Sequence, residues 1–145
     1  MIRSLWSKIG GFLALLGIAV AGYVWIGQLI APPHWCVLGE RFNCAAVSQS
    51  QFGWVDGVFG LVGIPFFHIS NALIAIPIFF LVGVGFFWFY RSVRWRLWLR
   101  ALCGLSLVYA LILLYLAIFT LGALCIFCLA LDAIILGLVI ASWKL

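Results

Sequence analysis

ALCGLSLVYALILLYLAIFTLGALCIFCLALDAIILGLVIASW, residues 101–143, carries a single formal charge, Asp132, between Arg100 and Lys144. At a rise of about 1.5 Å per residue, about 40 helical residues reach roughly twice the thickness of a bilayer's hydrocarbon core, so the stretch crosses a membrane twice. Its middle, Thr120-Leu121-Gly122-Ala123, is where small, turn-tolerant residues fall, and it predicts a tight hairpin there. Working outward, Gly57 to Tyr90 holds no Asp, Glu, Lys or Arg, which leaves room for a short re-entry and one crossing that starts near Pro65. Ile9 to Ile30 is likewise uncharged and suits a further crossing.

The composition agrees. The chain has 145 residues, 68% hydrophobic and 8% charged, too little polar surface to clothe a water-soluble globule. A spanning backbone must satisfy its own hydrogen bonds, and the alternating segments of about ten residues that build a β-barrel are absent, so helices are expected. The sequence therefore predicts an all-α integral membrane protein, one domain over 1–145. It is a four-transmembrane-helix bundle with helices at about 9–30, 64–90, 98–120 and 122–143, and an outer loop over 31–63. The first segment has the basic start of a signal peptide, but its apolar run is longer than a usual h-region and Pro32-Pro33 follows without a small-x-small site, so it is expected to be a retained helix.

Orientation follows from the basic residues. Arg3, Lys8, Arg91, Arg94, Arg96, Arg100 and Lys144 fall on one side and Arg41 on the other, which predicts cytoplasmic N- and C-termini in a plasma membrane. The net charge of +5 is then a topology signal, and basic residues divided among helix ends exclude a nucleic-acid surface. Trp88, Trp95 and Trp98 among the arginines read as an interfacial anchor in the bilayer.

That topology places four of the five cysteines on one outer face: Cys36 and Cys44 in the loop, and Cys125 and Cys128 in the first turn of the fourth helix. Cys103, near the cytoplasmic end, reads as a small packing residue. Disulfides persist outside the cytosol, and a helix start favours a thiolate, so Cys-Ile-Phe-Cys at 125–128 is placed for thiol chemistry. One Cys-x-x-Cys alone can be packing. Two pairs on one face, one in a loop and one at the membrane edge, form a relay from a soluble donor to a site that lipid-soluble molecules reach. The rival uses are a structural or metal-handling subunit, with His34 as a further ligand, although the spacing of Cys36 and Cys44 is wider than a zinc knuckle's.

A widely spaced cysteine pair in the first loop, Gly63-Ile64-Pro65 after it, and Cys125-x-x-Cys128 opening the fourth helix resemble the vitamin K epoxide reductase family, in particular its prokaryotic members, over about Cys36 to Leu145. The resemblance implies a quinone-dependent thiol oxidoreductase that supports disulfide-bond formation. Its electron acceptor would be a membrane quinone of the ubiquinone or menaquinone type, and its partner a thioredoxin-like protein. By position, Cys36 resembles the cysteine that meets the partner, Cys44 the one that attacks Cys125, and Cys128 the one that faces the quinone. Ser50 resembles a family serine on a short helix capping the pocket. Where animal members carry a tyrosine four residues beyond the second cysteine of the motif, this chain has Asp132, and their pocket asparagine has no clear match near Ile64-Pro65. Quinone reduction is therefore implied rather than epoxide reduction.

Asp132 lies one turn beyond Cys128 on the same face, and an ionisable residue inside a membrane helix is by default a functional hypothesis. It reads either as a proton relay toward a quinone oxygen or as a bundle residue paired with Tyr109 or Tyr115. Trp54 and Phe59, in a loop mixing aromatic and charged residues, read either as interfacial anchors or as candidates to stack near the quinone. His68 and Asn71, three apart, are expected to share a face of the second helix, where either could line the pocket or, the favoured reading, hold helices together.

Overall fold

The structure, a computed structural model, describes residues 1–30, 39–65 and 67–145. Cys36, with His34 and Trp35, lies outside the described residues. Among the described residues four helices are long and apolar enough to span a membrane: α1 (Ile2–Leu29), α4 (Asn71–Trp88), α5 (Val93–Leu116, continued by a π-helical turn to Leu121) and α6 (Ile126–Lys144). Two short helices, α2 (Cys44–Ser48) and α3 (Val55–Gly60), lie between α1 and α4, with a 3-10 turn at Gln51–Gly53. Large apolar side chains on every spanning helix face outward, Phe12, Phe80, Leu105 and Ile140 among them, as a multi-pass membrane protein requires.

α1 packs by close approach. Its buried residues Ser7, Gly10, Gly11, Ala14, Gly17 and Ala21 recur at three- and four-residue steps and form one smooth stripe of small side chains. Against that stripe lie Phe79 and Phe86 of α4, so close that a Cβ on Gly10 would overlap the Phe86 ring and one on Gly17 would meet the Phe79 ring at 2.6 Å. Ser7 Oγ donates to the Phe86 carbonyl at the same seam. The core is completed by Val82, Leu99, Cys103, Ile134, Leu138 and Ala141.

The helix limits differ from the sequence expectation in one consistent way. α1 starts at Ile2 and α5 at Val93, so the charged ends that bound each apolar run are themselves helical. A gap between charges measures the lipid-facing length; the helix runs on into the interface. At the opposite ends the helices start later than expected. α4 begins at Asn71, because Ser70 accepts from the Ala72 N–H as N-cap and Val55 N–H donates to Ile69 at 2.9 Å, holding the preceding backbone extended. His68 therefore precedes α4 and shares no helical face with Asn71. α6 begins at Ile126, because Gly122 turns the chain in the left-handed region (φ +65°) and the Leu124 backbone is engaged by residues 41–43.

At the basic end, arginines of α5 close the end of α6. Arg100 Nε donates to the Ser142 carbonyl at 3.2 Å and Arg96 to the Leu145 carbonyl at 3.5 Å, carbonyls that have no partner within a helix's last turn. Arg100 also lies over the Trp143 ring, 5.4 Å from its centroid.

Candidate active site

Four elements meet at the cysteine end of the bundle. Asn43 N–H donates to the Leu124 carbonyl at 3.0 Å and Leu124 N–H donates to the Arg41 carbonyl at 2.6 Å, so the segment before α2 is stitched to the hairpin before α6. Asn43 also caps α2, its side chain accepting from the Ala46 N–H at 3.1 Å. Those two devices set the first residue of α2, Cys44, against the N-cap of α6, Cys125. Both are buried, at 4% and 3% exposure, and pack as one cluster with Val47, Phe127 and Cys128.

The redox states differ across that contact. Cys44 is disulfide-bonded, whereas Cys125, Cys128 and Cys103 are free thiols. The Cys128 thiol donates a hydrogen bond to the Cys125 sulfur and holds its pKa down at about 7; the N–H groups of Cys128 and Phe127 act the same way, against burial and the Asp132 charge, which raise it. In the reduced pair the negative charge thus belongs on Cys125 and the remaining proton on Cys128.

Below the pair lies a cavity of about 450 Å³ between the four spanning helices and the cap. Cys125 and Cys128 line one end and Cys103 and Leu138 the other, with apolar walls from residues such as Ile78, Phe79 and Val82. Leu105 both lines the cavity and is 69% exposed, so the space reaches the outer surface of α5. The polar wall is Asn71 with Tyr109: Tyr109 O–H donates to Asn71 Oδ1 at 2.7 Å, and Asn71 Nδ2 donates to the Phe52 carbonyl at 2.7 Å. This pair ties α4, α5 and the cap together, and it also faces the cavity. The sequence offered Asn71 as a residue that holds helices together or lines the pocket, and the structure has it in both positions; Tyr109 was expected only as a partner for Asp132.

Gln28, near the end of α1, was not singled out by the sequence. It donates to the Ser48 carbonyl at 3.0 Å and accepts from Ser70 Oγ, joining α1, α2 and the start of α4 beside the cavity. A polar residue near the end of an apolar run was the available signal.

Of the residues expected to contact a quinone, Phe59 lines the cavity and lies parallel to Tyr109, with ring centroids 6.4 Å apart. Asp132 lines it too. Its expected hydroxyl partners are occupied elsewhere: Tyr109 bonds Asn71, and Tyr115 faces outward against Phe119. Ser50 and Trp54 do not line the cavity. Ser50 Oγ turns back to the Val47 carbonyl at 2.7 Å, closing the turn after α2. Trp54 stacks on His68, centroids 4.1 Å apart, while His68 Nδ1 meets Asp56 Oδ2 at 2.9 Å. That cluster clamps α3 to the segment before α4. The His68 contact lowers the Asp56 pKa, so what the pair adds is present above the ordinary carboxylate range and fades as pH falls through the lowered value.

A sequence model of the vitamin K epoxide reductase family matches residues 8–143. No curated protein matches the chain significantly.

Proposed function

The chain belongs to the vitamin K epoxide reductase family of membrane oxidoreductases, and on that premise we propose that it is a quinone-linked thiol oxidase that makes disulfides in a thioredoxin-like partner outside the cytoplasm. The observation that carries this reading is the burial of disulfide-bonded Cys44 against the free thiol Cys125, at the mouth of an apolar cavity that Cys128 also lines.

The partner's thiolate attacks Cys36 of a Cys36–Cys44 disulfide, and Cys44 leaves as thiolate. The partner's second thiol then resolves the bond to Cys36, which completes the partner's own disulfide and leaves two loop thiols. Cys44 attacks Cys125 of the oxidised Cys125–Cys128 pair and releases Cys128. Cys36 next attacks Cys44, restoring the loop disulfide and releasing Cys125. This ordering accounts for the described redox state, with Cys44 bonded and Cys125 and Cys128 reduced: it is the state reached just before electrons leave the protein. The burial of Cys44 and Cys125 in one cluster, with Cys128 only partly buried beside them, supports the assignment of Cys125 as the exchange sulfur.

A bound quinone supplies the sink for two electrons and two protons. The residues present suit such a molecule: about 450 Å³ falls within the roughly 300–1,000 Å³ of small-molecule sites, the walls are apolar, and the second N–H of the Asn71 amide, held in place by Tyr109 and the Phe52 carbonyl, is a donor for a ring oxygen. Phe59 offers a flat face beside them. The opening beside Leu105 gives an apolar tail a route to lipid.

The test uses the purified full chain in lipid nanodiscs, with a reduced thioredoxin-like dithiol and a short-chain quinone. One quinol per partner disulfide is expected, and Cys125→Ala or Cys128→Ala should abolish turnover. Cys128→Ala should also accumulate a Cys44–Cys125 linkage, seen as a mobility shift on non-reducing gels. About one equivalent of bound zinc or copper, with no quinone reduction, would sink the oxidase reading in favour of a metal-handling subunit.

A further inference from the structure

If the reduced pair holds its proton on Cys128, that proton must leave before the sulfur facing the cavity can give up electrons. The cavity lining limits where it goes. Among the described lining residues the titratable ones are Cys103 and Tyr109 on α5, Cys125 at the N-cap of α6, and Cys128 and Asp132 on α6; the described residues contributed by α1, α4 and the cap do not titrate, and none of the described lining residues is Lys, Arg, His or Glu. Tyr109 is committed to Asn71, and Cys103 is 2% exposed in the apolar core at the far end. Asp132 is the one carboxyl.

Its position suits the task. Residues four apart on a helix hold their Cβ atoms about 5–6 Å apart, and a helical side chain leans toward the N-terminus, so Asp132 leans back over the turn that carries Cys128. Its charge is felt at Cys125. No hydrogen bond holds the carboxyl among the described residues, so packing does not account for a costly ionisable group in a membrane helix.

We propose that Asp132 is the proton acceptor for the Cys128 thiol and carries that proton into the cavity as the Cys125–Cys128 disulfide forms. The inference rests on the thiol-oxidase reading. The Cys125 thiolate and the Cys128 thiol become a disulfide, and two electrons pass to the quinone. The Cys128 proton moves to the Asp132 carboxylate and from the carboxyl to a quinone oxygen; the second proton, lost by Cys125 on ionising, is returned from water.

Single-turnover reduction of a short-chain quinone by the pre-reduced full chain in nanodiscs tests this, across mildly acidic to alkaline pH. Asp132→Asn should slow the step about 10²-fold and alter its pH profile, and Asp132→Glu should restore most of the rate. Alkylation of Cys125 provides a readout of the folded site: loss of the Asp132 charge should move its pH midpoint downward. Wild-type rate and pH profile in Asp132→Asn overturn the proposal, as does equal loss in Asn and Glu variants with an unmoved Cys125 midpoint. Failure of the wild-type chain to reduce any quinone refutes the oxidase reading itself, and this proposal with it.

Discussion

Cys125 is governed by its neighbours more than by its own chemistry. The Cys128 hydrogen bond is the largest influence holding its pKa at about 7. Alkylation of Cys125 in the reduced protein, followed by mass spectrometry, should therefore be slow below neutrality, where the sulfur is protonated, and rise with a midpoint near that value. Cys128→Ala removes the donor, and the midpoint should climb toward about 8.5, the range of an ordinary thiol; an unmoved midpoint would show that the hydrogen bond is not the cause. The two cysteines were legible because their spacing and topology are written in the chain. Ser50 and Trp54 lie away from the cavity because a side chain's direction within a compact cap depends on which carbonyl or ring lies nearest: Val47 for one, His68 for the other. Gln28 passed unnoticed, and Tyr109 was read only as a partner for Asp132, because a polar residue in an apolar run carries no mark of what it will face.

Among the elements, α1 shows how a helix can be recognised without its function in the bundle being seen. Its uncharged run announced a crossing, but the stripe from Ser7 to Ala21 acquires meaning only beside Phe79 and Phe86. Without a hydrophobic driving force between helices in lipid, close backbone approach is a main source of association. Gly17→Val should force the Phe79 ring away and cost about 1–3 kcal/mol, read as a lower midpoint in detergent denaturation. The same change at Gly22, which has open space around its Cβ position, should leave the midpoint near that of wild type. The cap elements α2 and α3 were foreseen as a single half-helix. They form two, because Asn43 starts the first and the 3-10 turn at Gln51–Gly53 redirects the chain before Val55.

For the whole molecule, the cavity joins the thiol pair to the lipid-facing surface. Ala110 on α5 is buried at 4% exposure and lines that space. Ala110→Phe should fill it, leaving thermal stability within about 1–3 kcal/mol of wild type while quinone reduction falls at least about tenfold. Exchange between Cys44 and Cys125 should continue, because that contact lies above the filled region; quinone reduction at the wild-type rate would mean that the acceptor binds elsewhere. The sequence by itself determined the spanning helices, the basic end and the Cys-x-x-Cys at a helix start, because hydropathy, charge and local spacing act along the chain and need no partner. The family resemblance implied that Cys44 meets Cys125, and the tertiary structure buries the two together; only the tertiary structure decided that Asn71 and Tyr109 form the polar wall and that Asp132 is left without a hydroxyl partner. Those facts arise from the stitching of residues 41–43 to Leu124 and from the packing of α4, α5 and α6 around one space, contacts between distant residues that no periodicity records.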